Sequence, residues 1–235
     1  MPIRSSMVPL GMAIAGLVSA YLGMAYLLLP QTWHFLDQDI DVSPASMVTR
    51  TESNIPGDPI NVGLIGTSEG VFRAFAAAGW DTADDVTLKT AVKIGVSVLF
   101  DRPYPDAPVS PLMYDGRKQD LAFEKPVGGS ADQRHHVRLW NTGWTASGRP
   151  LWLGSASFDR GVGFSHDTGQ ITHHISADID AERDRLMRDL QGTGQIASTS
   201  TLPGIGPTDD GRNGGGDLYV TDGNVLVGTL VAQRD

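Results

Sequence analysis

Five of the six histidines, His135, His136, His166, His173 and His174, fall in one short part of the chain, beside Asp159, Asp178 and Asp180. Imidazole and carboxylate together suit zinc or another borderline divalent metal. Adjacent residues of a strand point to opposite faces, so only one member of each histidine pair can enter a given site. One from each pair, with His166, would supply three neutral nitrogens, and an aspartate would be the fourth ligand or a base. Which member of each pair turns inward is left open. The metal candidates are therefore all five histidines, and the catalytic candidates are His136, His166, His174 and Asp159. The competing reading makes them hydrogen-bonded residues that hold turns together, since they lack a helical His pair at i, i+4.

Other chemistry is less specific. Arg117, Lys125, Arg138, Arg160 and His135 offer donors to an anion, arginine in particular matching phosphate or carboxylate through its planar fork. Ser155 or Ser165 beside a histidine base would be a nucleophile, although neither sits in a Gly-x-Ser-x-Gly elbow. The glycine-rich stretch Gly211 to Gly216 lacks the lysine and following helix of a phosphate-binding loop. Asp209, Asp210, Asn213, Asp217 and Asp222 offer oxygen ligands for calcium, but a tight turn needing positive φ angles explains the glycines equally. Asp178, Asp180 and Glu182 fit the first turn of a helix, where acidic side chains complement the dipole.

The elements that must position these residues begin with an apolar segment. No charged side chain occurs between Arg4 and Asp37, and Met7 to Leu29 is dominated by Leu, Ala, Met, Val, Ile and Gly. About 20 apolar residues suffice for a helix to cross the hydrocarbon core. Gly11, Gly16, Ala20 and Gly23 recur along one side, where small residues allow another membrane helix to approach. Such residues are also simply common in membrane helices. Val18-Ser19-Ala20 resembles a signal-peptidase site, but the apolar run continues well past it, beyond the ~7–15 residues of a signal core. Arg4 on one side and Asp37, Asp39 and Asp41 on the other place the N-terminus in the cytoplasm by the positive-inside rule, and the rest outside it. Trp33 and His34 would lie at the interface.

The chain has no cysteine, which removes disulfides, thiolate metal sites and cysteine nucleophiles together. A net charge of −9 without a basic run argues against nucleic acid, which needs clustered Lys and Arg. Along the remainder, Asp37 to Pro59 reads as a linker and Ile60 to Ile65 as a buried strand. A helix capped by Ser68 runs to Gly79, and a second covers Leu88 to Leu99. Strands are expected at Met113 to Tyr114, Leu121 to Glu124, His135 to Trp140, Leu151 to Phe158 and Ile171 to Ile175. Asp178 to Leu190 has the clearest helical pattern, with Glu182, Arg185 and Arg188 on its polar face and Ser176 or Asp178 as its cap. Gly204 to Gly216 reads as a loop. Leu218 to Val220 and Val225 to Val231, joined by Asp222-Gly223-Asn224, read as a terminal hairpin. The fold class is α+β: one N-terminal transmembrane helix (1–36), a linker (37–58), and a single domain (59–235) of mostly antiparallel or mixed sheet with flanking helices.

Several strings resemble the LssY C-terminal domain family: Ala107 to Pro111, Gly116 to Phe123, Arg134 to Trp140, Gly148 to Gly154, Phe158 to Gly163, Gly169 to Ile175, Asp178 to Asp184, and Gly211 to Asp217 with Tyr219 and Thr221-Asp222-Gly223. The similarity covers roughly Pro59 to Val231. In some members this domain follows integral-membrane segments resembling lipid phosphatases, which this chain does not show. The resemblance therefore implies a membrane or envelope context and not phosphatase activity. Two function classes stay open. The first is an accessory subunit whose helix docks against a larger membrane complex while its domain lies in the periplasm. The second is a membrane-tethered, metal-dependent hydrolase of the envelope using the His/Asp cluster, with a divalent metal as its cofactor.

Overall fold

The computed structural model describes residues 7–29, 31–32, 47–83, 111–128 and 133–232. The helix expected at Leu88 to Leu99, the interfacial Trp33 and His34, and the first part of the expected linker lie outside them. Helix α1 (Met7–Gly23) continues into one wider turn, Met24–Leu28, in which the N–H of Leu29 bonds to the carbonyl of Met24. The stretch Leu10–Leu28 is long and apolar enough to cross a membrane. Its large side chains are exposed, and Ala25 is the buried exception.

The domain is built on an eight-stranded mixed sheet. Its strands are β3 (Val62–Ile65), β4 (Asp81–Thr82), β7 (Leu121–Pro126), β8 (Arg134–Ala146), β9 (Arg149–Phe164), β10 (Ile171–Ile175), β11 (Ile196–Pro203) and β14 (Asn224–Leu230). The order is β11-β14-β3-β9-β8-β7-β4, with β10 beside β9. Every pairing is antiparallel except β14 with β3. Strands β8 and β9 form one long hairpin. Its turn, Ser147-Gly148, has φ of 53° and 74°, the mirror-image geometry that follows the sheet's twist.

Strand β9 is shared along one edge: Leu151 to Gly154 pair with β3, and Asp159 to Phe164 pair with β10. Asn61 bridges the gap. Its amide nitrogen donates to the carbonyl of Ala156 at 2.9 Å, and its oxygen accepts from the N–H of Ala156 at 2.8 Å, imitating a strand peptide. A smaller sheet of β1 (Val48–Arg50), β2 (Pro56–Pro59), β5 (Met113–Tyr114) and β6 (Arg117–Lys118) has the order β2-β1-β5-β6, and β12 (Thr208–Arg212) pairs with β13 (Leu218–Thr221).

One face of the large sheet is apolar. Phe123, Val137, Leu139, Trp152 and Ala156 pack beneath α2 (Ser68–Ala77), which brings Val71, Ala74 and Phe75, and α3 (Ile179–Gly192), which brings Leu186 and Leu190. Phe75 stacks on Phe123 with centroids 4.0 Å apart. Helix α2 is capped by Thr67, whose side chain accepts from the N–H of Gly70, and not by Ser68. Asp178 caps α3 by accepting from the N–H of Ala181.

Several segments differ from the sequence reading. The segment read as linker carries β1 and β2, held by Thr49, whose hydroxyl donates to the carbonyl of Asp58. The stretch read as a loop contains β12, where Gly211 leaves room for the ring of Tyr219, since a Cβ there would stand 2.2 Å from it. The terminal hairpin does not form: β13 pairs with β12, whereas β14 lies between β11 and β3. The cause is β11, a Ser/Thr-rich, largely exposed strand without apolar alternation, which takes the edge of β14 that β13 would have needed. Phe123→Ala should lower stability by about 3–5 kcal/mol, whereas Phe72→Ala, on the exposed side of α2, should cost well under half as much; urea unfolding followed by tryptophan fluorescence reads both.

Candidate functional site

The opposite face of β7, β8 and β9 is polar over half its length. Register places Glu124 beside His136 and Ser157, Arg138 beside Ser155, and Arg134 beside Asp159, all on that face. These residues are all buried. Further along the same face the pattern turns apolar, where Trp140, Leu153, Val225 and Val227 pack with Ile60 and Leu112 under the small sheet. A cavity of about 380 Å³ opens over the polar half, with Asp58, Arg134, His136, Arg138, Asp159 and His173 among its lining.

Buried charges must be paired to be tolerated, and the pairing here is dense. Arg134 donates from Nη1 to Glu124 Oε2 at 2.6 Å and from Nε to Asp159 Oδ2 at 3.0 Å. Arg138 Nη1 lies 3.4 Å from Asp58 Oδ2 and 2.9 Å from His136 Nε2. Because a guanidinium can only donate, His136 Nε2 must accept, which leaves the proton of the neutral ring on Nδ1. That nitrogen is 3.2 Å from Asp159 Oδ2, in reach although poorly aligned for a hydrogen bond. Asp58 is held from its other side by Asn213, whose Nδ2 donates to Oδ1 at 3.2 Å.

Two of the shifted groups bear on proton transfer at the cavity. Burial pushes the Asp159 carboxyl up, but proximity to His136, His173 and Arg134 outweighs it, and the carboxyl is held well below the usual carboxylate range. Burial pushes His173 down, and Arg134, His136 and Arg138 add to this while Asp159 opposes it. Both shifts favour an ionised carboxylate and an unprotonated imidazole on the cavity wall, and the unprotonated imidazole is the form that can accept a proton.

The five histidines do not converge on one point. His136 and His173 line the cavity. His135 points through the sheet to the helical side, where its Nδ1 is 2.8 Å from Glu182 Oε2 and its ring packs near Phe158 and Trp80. Glu182, expected on the polar face of its helix, is buried for this contact. His174 Nδ1 is 2.8 Å from Asp217 Oδ1, and its ring fills the space above Gly163, where a Cβ would meet Nε2 at 2.5 Å. Among the described residues, His166, His174 and Asp217 are the group whose ligand atoms lie within 4.8 Å of one another. Asp217 is already engaged there by His174, by Arg160 at 3.5 Å and by the N–H of Ile175.

The remaining candidates have structural uses. Ser165 accepts from the N–H groups of Asp167 and Thr168 and shapes the β9–β10 turn. Among the described residues, the hydroxyls of Ser155 and Ser157 find no partner, and Ser157, opposite His136, was not apparent from sequence. Asn213 Oδ1 accepts from the N–H groups of Gly215 and Asp217, so the glycine-rich turn is pinned by its own side chain. Asp209 and Asp210 are exposed, and Asp222 accepts from Arg183 and from the N–H of Asn224. Lys125 ties Asp189 on α3 to the carbonyl of Ala78. Asp180 accepts from Thr221 and from the N–H of Asp222, so Asp178 and Asp180 serve the ends of α3 and β13.

The shifts of Asp159 and His173 should make the fold sensitive to acid. His173 binds its proton less readily when folded than at its unfolded pKa of about 6.5, so stability should fall as pH drops below that value. The contribution of Asp159 is intact above its unfolded pKa of about 3.9 and is lost as pH falls below it. The urea midpoint should therefore decrease from pH 7.5 to 5.5 and again below 4, and His173→Gln should flatten the first decrease relative to wild type.

A family model described as LssY C-terminus matches residues 41–225, and the chain belongs to that family. No curated protein and no solved structure was found to match it.

Proposed function

We propose that this family member is a single-pass, membrane-anchored hydrolase, with α1 in the bilayer, the N-terminus cytoplasmic and the domain on the periplasmic side. The length of the apolar helix supports the anchor, and Arg4 before it with Asp37, Asp39 and Asp41 after it supports the orientation. The observation that carries the catalytic reading is that half-buried His173 and buried Asp159 line the same cavity, with shifts that favour the unprotonated imidazole and the ionised carboxylate. His173 takes a proton from water as the water oxygen bonds to the substrate's electrophilic centre. The proton then passes to the leaving group as its bond breaks. Asp159 balances the charge that forms on the imidazole, His136 and Arg134 hold Asp159, and Arg138 offers donors to a developing oxyanion.

Buried ion pairs contribute little net stability, and well-packed apolar side chains in their place are often neutral or better. A sheet face with four buried charged side chains, Glu124, Arg134, Arg138 and Asp159, with Asp58 aside from it, is thus poorly explained as a stabilising device. The detergent-purified full chain, offered nitrophenyl phosphates, carboxylate esters and glycosides, should turn over at least one class. His173→Gln and Asp159→Asn should each lose about 10²–10⁴-fold while keeping the wild-type circular dichroism. No turnover of any class, or variants as active as wild type, would sink the catalytic reading.

A second reading is an accessory subunit of a larger membrane complex. Gly11, Gly16 and Gly23 have nothing within 4 Å of where a side chain would start, and Ala20 is exposed, which leaves a small-residue surface for another helix. Extraction in mild detergent followed by sizing and mass spectrometry should then recover a defined hetero-complex. A free monomer or homo-oligomer would end this reading.

A further inference from the structure

The end of α1 is tied to the turn between β9 and β10 by three hydrogen bonds. Tyr21 Oη donates to the carbonyl of Gly169 at 2.8 Å, Gln170 Nε2 donates to the carbonyl of Ala25 at 3.0 Å, and the N–H of Ile171 donates to Tyr26 Oη at 3.1 Å. The ring of Tyr21 also meets Phe164 edge-on, with centroids 6.2 Å apart. The bond to Ala25 has a reason in the backbone. In the wide turn Leu29 bonds back five residues to Met24, and the next bond of that register would come from residue 30 to Ala25. Residue 30 is proline, which has no N–H. The carbonyl of Ala25 is therefore left without a helical donor at an apolar depth where such a group is costly, and Gln170 supplies one.

These contacts fix the depth of the turn. Tyr21 and Leu28 are separated by about 10 Å at the helical rise of ~1.5 Å per residue, so the turn lies level with the last three helical turns or fewer. Leu10–Leu28, 19 residues, spans about 28 Å by the same rise, close to the ~30 Å of the hydrocarbon core. No apolar length is left over to lift the turn clear of the bilayer. The turn is dressed for that position, since Phe164 and Ile171 are 64% and 59% exposed.

We propose that the β9–β10 turn is a second membrane contact, with Phe164 and Ile171 entering the lipid at the boundary between acyl chains and headgroups. Tyr26, Gln170 and Ile171 also line the cavity, so this contact sets the cavity's rim against the headgroup layer. The inference rests on the anchor reading above and not on the catalytic one.

The absence of cysteine makes a clean test possible with nitroxide labels on single cysteines in the full chain, reconstituted in vesicles of phosphatidylcholine and phosphatidylglycerol. The labelled sites are Ile171→Cys, Phe164→Cys as a second reporter of the turn, Leu17→Cys within α1, and Trp144→Cys far along β8. Labels at 171 and 164 should be relaxed by oxygen and shielded from a water-soluble nickel chelate, as the label at 17 should be, while the label at 144 is open to nickel. If 17 is shielded and both 171 and 164 are as open to nickel as 144, the turn does not touch lipid and the anchor stands. If 17 is open as well, the anchor reading falls and this inference with it.

Discussion

The alternation of side chains along β7, β8 and β9 is the constraint on which the rest of the molecule depends. On β7 and β8 odd positions such as Phe123, Val137 and Leu139 face two helices, as do Trp152 and Ala156 on β9, and form the main core; the alternate positions, such as Glu124, Arg134, His136, Arg138 and Asp159, face the other way and are buried all the same. A sheet face of this kind cannot be left dry and unpaired. Its charges therefore fix one another: Arg134 needs both Glu124 and Asp159, and Arg138 draws in Asp58 from a separate sheet. Removing one member of such a set is costly because the other is then buried alone, by about 3–5 kcal/mol in comparable cases.

The cover over that face follows from the same requirement. The small sheet closes the apolar half with Ile60 and Leu112, and over the polar half it contributes Asp58 through the β2 backbone that Thr49 clamps. Asn213 reaches Asp58 from the glycine-rich turn, so a segment far along the chain is anchored to the same network. Between cover and sheet remains a cavity lined by Asp159, whose carboxyl is held low, and by His173, whose imidazole is pushed down by burial. Among the described residues, the apolar helix meets this assembly at its C-terminal end, where Tyr26 in the wider turn reaches the cavity rim.

Several features were legible in the residues. The apolar helix, the α2 and α3 patterns, the strands around His135 and Leu151, and the family blocks required no tertiary knowledge. So did the rule that each histidine pair must split, and His135 and His136 do face opposite sides of β8. Strand β11 was missed because an exposed run of Ser and Thr carries no burial pattern, and β2 was missed because Pro56 and Pro59 read as linker residues.

The order of residues suffices to place helix and strand wherever one side is buried and the other wet, because that difference writes a period into the residues. It also determined the family and the absence of thiol chemistry. Which member of each histidine pair meets which carboxylate is settled by the folded arrangement. His136 joins Asp159, twenty-three residues away, and His174 joins Asp217, forty-three away. The tertiary structure alone also decided that Glu182 turns inward and that β14 leaves β13 for the large sheet. Such pairings are set by strand order and register, which join residues remote in sequence, and a local pattern of polar and apolar residues holds no record of them.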